Sequence, residues 1–260
     1  MDTRLLIDPP AAGAWNMAVD EVLLESAAHD GAATLRFYRW SEPTLSLGYF
    51  QDYASRARHL PSRNCPAVRR LTGGGAIVHD RELTYSLVLP AGHLLAAGRD
   101  RLYALVHASL VEALADLGIA AVLVGADVPR AAADEPFLCF QRRAPGDVLV
   151  GAAKVAGSAQ RRRRGAVLQH GSVLLQRSAA APELDGIGQL CGHALDEETL
   201  LAAWLPKLAA HLATGWCEGP LADRQRQRAS AWVESRYAAE SWTVARRADP
   251  SPARANSCFP

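Results

Sequence analysis

The chain has 260 residues, 49% of them hydrophobic, with 28 lysine plus arginine residues against 27 acidic ones. That length can bury a sizeable core in one large domain, and a net charge of +1 gives no bulk attraction to nucleic acid or to a membrane. No apolar run is long enough to span a bilayer and the N-terminus lacks the basic-then-apolar order of a signal peptide, so a cytoplasmic location is expected.

In chain order, residues 14–28 place Met17, Val19, Leu23 and Leu24 mostly on one side beside Asp20, Glu21 and Glu25, which predicts an amphipathic helix. Asn16 and Asp20 are one turn apart; they either face a pocket or serve as a cap and a solvated acid. Residues 34–40 and 44–50 are β-prone and joined by a turn at Ser41-Glu42-Pro43. Tyr49, Phe50 and Gln51 close the second strand as an aromatic–polar cluster, for packing or for recognition. Residues 66–70 predict a strand that runs into Thr72-Gly73-Gly74-Gly75. Consecutive glycines weaken a strand or helix interior, so they mark a tight loop or a backbone lying against a ligand. The loop is neither a Walker A loop nor G-x-G-x-x-G, and no nucleotide fingerprint applies.

Residues 77–79 and 83–89 continue as strands. Residues 98–118 predict the clearest helix, with Leu102, Leu105, Val106, Leu110, Leu114 and Leu117 at helical spacing and Gly118 as its stop. Residues 119–124 predict a buried strand, and residues 125–136 a loop that delivers Phe137-Leu138-Cys139-Phe140. Residues 148–150, 154–160 and 167–175 predict a meander whose last two strands join through a turn at 161–165. Asp196 is placed to cap a helix carrying Leu200, Leu201, Trp204, Leu205 and Leu208, and Pro220 opens another running to about residue 237. The tail from Arg246 reads as disordered. The predicted class is α/β (α+β), a mixed β-sheet flanked by helices. Residues 1–215 form the main domain, 216–245 a helical appendage and 246–260 the tail.

Two residues carry the chemistry. Lysine occurs only at positions 154 and 207, in a chain otherwise served by arginine. Lysine pKa values respond to surroundings where arginine's do not, so Lys154 is either a functional choice or an exposed hairpin residue. Cys139 leads into the strands that carry Lys154, and a thiol beside a cation is a competent nucleophile for acyl transfer. The other reading of Cys139, among Phe137, Leu138 and Phe140, is a buried small apolar residue. His79 and His170 both lie near glycines and either reach the site or make structural hydrogen bonds. The five cysteines include no C-x-x-C pair, and Cys191 with His193 has no second ligand pair, so neither a disulfide framework nor a metal site is expected. Segment 139–165 holds Arg142, Arg143, Lys154 and Arg161 to Arg164 against Asp147 alone. This charge is either a solvated turn or a surface that steers an acidic partner. Nucleic acid is not expected, because aromatics are not interleaved with the basic residues.

Together these residues resemble the lipoate–biotin protein ligase superfamily, and within it the cysteine-dependent octanoyl-[acyl-carrier-protein]:protein octanoyltransferases of the LipM-type branch. One block runs from Asn16-Met17-Ala18 and Asp20 through Phe37-Tyr38-x-Trp40 to Thr44-Leu45-Ser46-Leu47-Gly48-Tyr49-Phe50-Gln51. A second is Arg69-Arg70-x-Thr72-Gly73-Gly74-Gly75-Ala76-x-x-His79-Asp80 with Glu82 to Ser86. A third is Cys139-Phe140 with Lys154 to Gln160 and Gln169-His170-Gly171-Ser172; Arg236-Tyr237 and Ser241-Trp242 are a weaker echo.

The resemblance implies the fold of the biotin/lipoate ligase catalytic domain and an octanoyltransferase of lipoate biosynthesis. Cys139 would take octanoyl from acyl-carrier protein as a thioester, and Lys154 would lower the thiol pKa and polarise the carbonyl. Arg69, Arg70, Thr72, Gly73, Gly74, Gly75, His79, Gly157, Ser158, Ala159, His170 and Gly171 would bind the acyl group. The acceptor would be a lysine of a lipoyl domain or of the glycine-cleavage H protein, with no cofactor. Gly75 departs from the transferase branch, which often has arginine there, and is more typical of ATP-dependent lipoate–protein ligases. That alternative would bring ATP and Mg. An octanoyl amidotransferase acting between lipoyl domains and a non-catalytic carrier-binding paralogue are further alternatives.

Overall fold

The computed structural model describes residues 2–127 and 135–247. Residues 128–134 of the expected 125–136 loop, and the tail beyond 247, lie outside the described residues. The frame is an eight-stranded mixed sheet in the order β11-β1-β2-β6-β10-β9-β8-β7. Its strands are β1 (Thr3–Ile7), β2 (Thr34–Tyr38), β6 (Glu82–Leu89), β7 (Ala121–Leu123), β8 (Val148–Val150), β9 (Ala153–Arg163), β10 (Ala166–Leu174) and β11 (Trp216–Glu218). β1 runs parallel to β2 and to β11, and the other pairs are antiparallel. A second, three-stranded sheet, β4-β3-β5, is built from β3 (Thr44–Leu47), β4 (Ala67–Arg69) and β5 (Ile77–His79).

The period-2 pattern of the strands divides the core. Leu5, Phe37, Leu87 and Val167 face α2 (Arg99–Asp116) and α4 (Glu197–Leu212), where Leu102, Val106, Leu110, Trp204 and Leu208 complete the cluster. Their neighbours Leu6, Tyr38, Val88 and Leu168 face the other way, onto Met17, Val19, Val22 and Leu23 of α1 (Gly13–Asp30). Asp196 caps α4 as expected, accepting from Thr199 N at 2.7 Å. A short α3 (Ile187–Cys191) precedes it.

Several expectations are corrected. α1 is not amphipathic toward solvent: Asp20 and Glu21 are buried, because the sheet covers one side of the helix and the C-terminal segment the other. That segment is no appendage. β11 extends the main sheet, while α5 (Asp223–Trp232), a π-helical turn (Val233–Tyr237) and α6 (Glu240–Thr243) place Trp232, Tyr237 and Trp242 in the same cluster as α1. The 119–124 strand shortens to β7, an edge strand whose Val122 is exposed. Arg161 to Arg163 belong to β9 rather than to the turn, paired with Leu168 to Ala166. The turn is only Arg164-Gly165, both at positive φ (48° and 83°), the geometry of a two-residue hairpin. β3 stops at Leu47, and the next residue must be glycine because the Gly74 carbonyl approaches so closely that a Cβ at 48 would lie 2.1 Å from it. Among the described residues, no helix is long and apolar enough to cross a membrane.

Candidate active site

A cavity of about 510 Å³ lies between the glycine loop and the main sheet, lined by Met17 of α1 and by Asp100, Tyr103 and Ala104 of α2. Its floor follows one register row, Gly157 on β9, Ser172 on β10, Thr84 on β6 and Tyr38 on β2. Four adjacent strands span roughly 14 Å, a length that takes an extended medium-chain acyl group. The hydroxyls of that row are committed elsewhere: Ser172 and Thr84 donate to Glu82 Oε1, and Tyr38 donates to Asp20 Oδ2.

Cys139 stands half-buried in the wall, on a single 3₁₀ turn (Cys139–Gln141). The turn is stitched to the glycine loop, with Ala76 N donating to Phe137 O (3.0 Å) and Cys139 N to Ala76 O (2.7 Å). Phe137 and Leu138 fill the core of the smaller sheet, so Cys139 itself is left facing the cavity. Gly75 is where this segment comes closest. A Cβ there would sit 3.1 Å from Cys139 Cα and 3.0 Å from the Arg142 guanidinium. The third glycine therefore has a packing cause in this chain, independent of any nucleotide.

Lys154 reaches the same point from β9. A bulge against β8 pairs Ala156 with Val148 and Lys154 with Leu149, so that Val155 and Ala156 both enter the α2-side cluster. The bulge re-aims the next side chain along, and Lys154 falls on the face of Gly157 rather than on that of Ala156. Its Nζ lies 3.9 Å from Cys139 Sγ and 3.4 Å from Cys139 O, and it pairs with Asp147 Oδ2 at 2.8 Å. Lys154 is thus a buried, paired lysine and not an exposed hairpin residue.

Arg70 shapes the glycine loop. Its guanidinium donates to Gly73 O (2.8 Å), Gly75 O (2.7 Å) and Ser46 O (3.0 Å). Burial pulls its pKa down to about 10, partly offset by the nearby Cys139, so it stays charged at neutral pH. Thr72 stands behind the wall and hydrogen-bonds His170 Nε2 (2.7 Å), whose Nδ1 meets Asp20 Oδ2 (3.0 Å). Burial works to raise the Asp20 carboxyl, but the His170 hydrogen bond and the Arg36 charge outweigh it and hold it below the ordinary value. His79 lines the cavity with both nitrogens engaged, Nδ1 on Glu82 (2.5 Å) and Nε2 on Ser46 Oγ (2.8 Å), and Trp40 stacked on its ring.

Of the positions read from sequence, Cys139, Lys154, Arg70, Gly73, Gly74, His79, Gly157, Ser158, Ala159, His170 and Gly171 line one cavity. Thr72 and Gly75 support it from behind. Arg69 does not belong to it. Its side chain points the other way, donating to carbonyls of Gly48, Tyr49, Gln51, Trp242 and Thr243. Successive strand residues face opposite sides, and only Arg70 faces the loop. Sequence reasoning missed Tyr103, which lines the cavity, and Asp147, which pairs with Lys154. The one signal for Asp147 was its isolation as the sole acid in a basic segment.

A family model of the lipoyl protein ligase A/B catalytic domain matches residues 12–183. The chain belongs to this family. Among curated members it is 34% identical to octanoyltransferase LipM of Symbiobacterium thermophilum, over 93% of this chain and 97% of that protein. It is 28% identical to LipM of Brevibacillus brevis, over 94% and 99%, and 40% identical to LipM of Kyrpidia tusciae over a shorter alignment, 66% and 65%. Solved structures of lipoyl ligase-type proteins share the fold. A putative lipoate protein ligase from T. acidophilum with bound lipoic acid superposes with a TM-score of 0.76, at 21% identity, over 94% of this chain and 100% of that one. Lipoate-protein ligase A bound with ATP gives 0.75, also at 21% identity, over 94% and 99%. The mixed sheet with flanking helices is therefore the lipoyl ligase catalytic fold.

Proposed function

We propose that this chain is an octanoyltransferase of lipoate biosynthesis working through a Cys139 thioester. The observation that carries the reading is the pair Cys139 Sγ and Lys154 Nζ, 3.9 Å apart on the wall of a cavity sized for a medium-chain acyl group. The curated LipM relatives support the same activity. Cys139 sulfur attacks the carbonyl carbon of octanoyl-acyl-carrier protein; a new carbon–sulfur bond forms, the old one breaks, and the carrier thiol leaves with the proton given up by the Cys139 thiol. The acyl chain lies along the row from Gly157 to Tyr38. The Lys154 ammonium supports the negative charge that develops on sulfur and on the carbonyl oxygen. The neutral amine of an acceptor lysine, on a lipoyl domain or the glycine-cleavage H protein, then attacks the thioester. The carbon–nitrogen bond forms, the bond to Cys139 breaks, and the amine proton passes to the sulfur. Every bond is accounted for without ATP or a metal ion.

The test is incubation with octanoyl-acyl-carrier protein in the absence of ATP, followed by intact mass. An octanoyl adduct that disappears in Cys139→Ala is the expected result. No adduct, or the same adduct in that variant, overturns the reading. Lipoate-dependent ATP–pyrophosphate exchange in the same preparation, without carrier acylation, would instead identify an ATP-dependent ligase.

A further inference from the structure

We propose that Asp147 is a positioning residue for acyl transfer, its carboxylate holding the Lys154 ammonium at Cys139 and Tyr103 holding the carboxylate. Asp147 is buried, and its acceptor sites are occupied from three directions. Oδ2 takes Lys154 Nζ at 2.8 Å and the Ala144 N–H at 2.7 Å; Oδ1 takes the Tyr103 hydroxyl at 2.7 Å. Tyr103 is fixed in turn, accepting from the backbone N–H of Ser158 at 3.1 Å. The carboxylate is therefore tied to α2, to the 144–147 turn and to the start of β9.

An ammonium has three donors on a long flexible stem. In this site one is committed to Asp147, which leaves the others directed at Cys139 O (3.4 Å) and Cys139 Sγ (3.9 Å). Without the carboxylate, Nζ keeps its contacts with Cys139 and the Phe140 ring, 5.5 Å to the centroid, but the buried cation loses its compensating charge. The arrangement has the form of a nucleophile, a cation beside it and a third group orienting the cation. Asp147 acts only through Lys154 and touches neither the acyl group nor the sulfur.

The proposal rests on Cys139 acylation, and a double-mutant cycle on single-turnover acylation by octanoyl-acyl-carrier protein separates the two. Asp147→Asn is expected to slow acylation about 30-fold, and Tyr103→Phe about fivefold, as for loss of a charge-assisted hydrogen bond. In a Lys154→Met background the same changes should alter the residual rate less than about twofold, because the group they position is gone. Tyr103→Phe keeps the test available where Asp147→Asn does not fold. Equal losses in both backgrounds, or a parental rate in Asp147→Asn, overturn the positioning role and leave the transferase reading standing. Failure of the parent protein itself to acylate overturns the transferase reading, and the positioning role with it.

Discussion

Gly157 makes room for Lys154. A Cβ at Gly157 would lie 2.6 Å from Lys154 Cε, 2.8 Å from Nζ and 3.0 Å from Asp147 Oδ1. The two nearest contacting atoms belong to the end of the flexible Lys154 side chain, so an added methyl moves the lysine rather than the strand. Gly157→Ala is therefore expected to leave the melting temperature within about 3 °C of the parent, corresponding to a change of roughly 1 kcal/mol. Acylation of Cys139 should fall at least about tenfold, because small displacements of a catalytic group are costly in rate. Parental acylation, or a large loss of stability with normal turnover of the folded fraction, would contradict this role for the glycine.

Arg69 ties the C-terminal segment to the smaller sheet and not to the substrate. It is fully buried and its nitrogens reach five carbonyl oxygens on two segments distant in sequence, 48–51 and 242–243. Trp242 Nε1 answers by donating to Arg69 O at 2.9 Å. Arg69→Met leaves those carbonyls without their donor, at a cost of about 4 kcal/mol. The melting temperature should drop by about 10 °C, and limited proteolysis should cut near residue 240 first, while the KM for octanoyl-acyl-carrier protein stays at the parental value. An unchanged melting temperature combined with weakened donor binding would return Arg69 to the acyl-binding set.

Features governed by local period were legible in the sequence. The two long helices α1 and α2, the β9–β10 hairpin and the glycine loop all follow from spacing or from glycine content. Features that depend on which face a residue takes were not. Arg69 and Arg70 read as one basic pair, yet one strand step sends them to opposite sides. The arginines of 161–164 read as one charged turn, yet strand geometry splits them. Arg161 lies over Tyr49 and Arg163 pairs with Glu21 and Glu25, while Arg162 reaches Ala96 O near α2. The bulge that turns Lys154 toward Cys139 leaves no mark in a run of small residues. Glu21 reads as an acid beside an apolar stripe because its partners Arg236 and Tyr237 come from residues more than two hundred positions away, while Asp20 is taken up on the sheet side by Arg36, Tyr38 and His170. Asp147 was visible only as an odd acid, since its partners lie on α2 and β9.

His107 ties stability to pH. Burial drives its pKa down to about 4, against smaller raising effects of the Gly146 carbonyl and Asp147, while Lys154 acts in the same direction as burial. The ring is therefore neutral at neutral pH. Its Nδ1–H donates to Gly146 O (2.6 Å), and Nε2 accepts from the Ser158 hydroxyl (2.6 Å). In the unfolded chain the same imidazole titrates near its ordinary value of about 6.5. Between those values the unfolded state binds a proton that the folded state refuses, so stability falls as pH drops through that window. The loss from pH 7 to pH 4.5 attributable to His107 is about 2–3 kcal/mol. Chemical denaturation at the two pH values, on the parent and on His107→Gln, isolates it. The variant is expected to be less stable at pH 7 but to lose about 2–3 kcal/mol less on acidification. Equal losses in both proteins would show that His107 is not the group that refuses the proton.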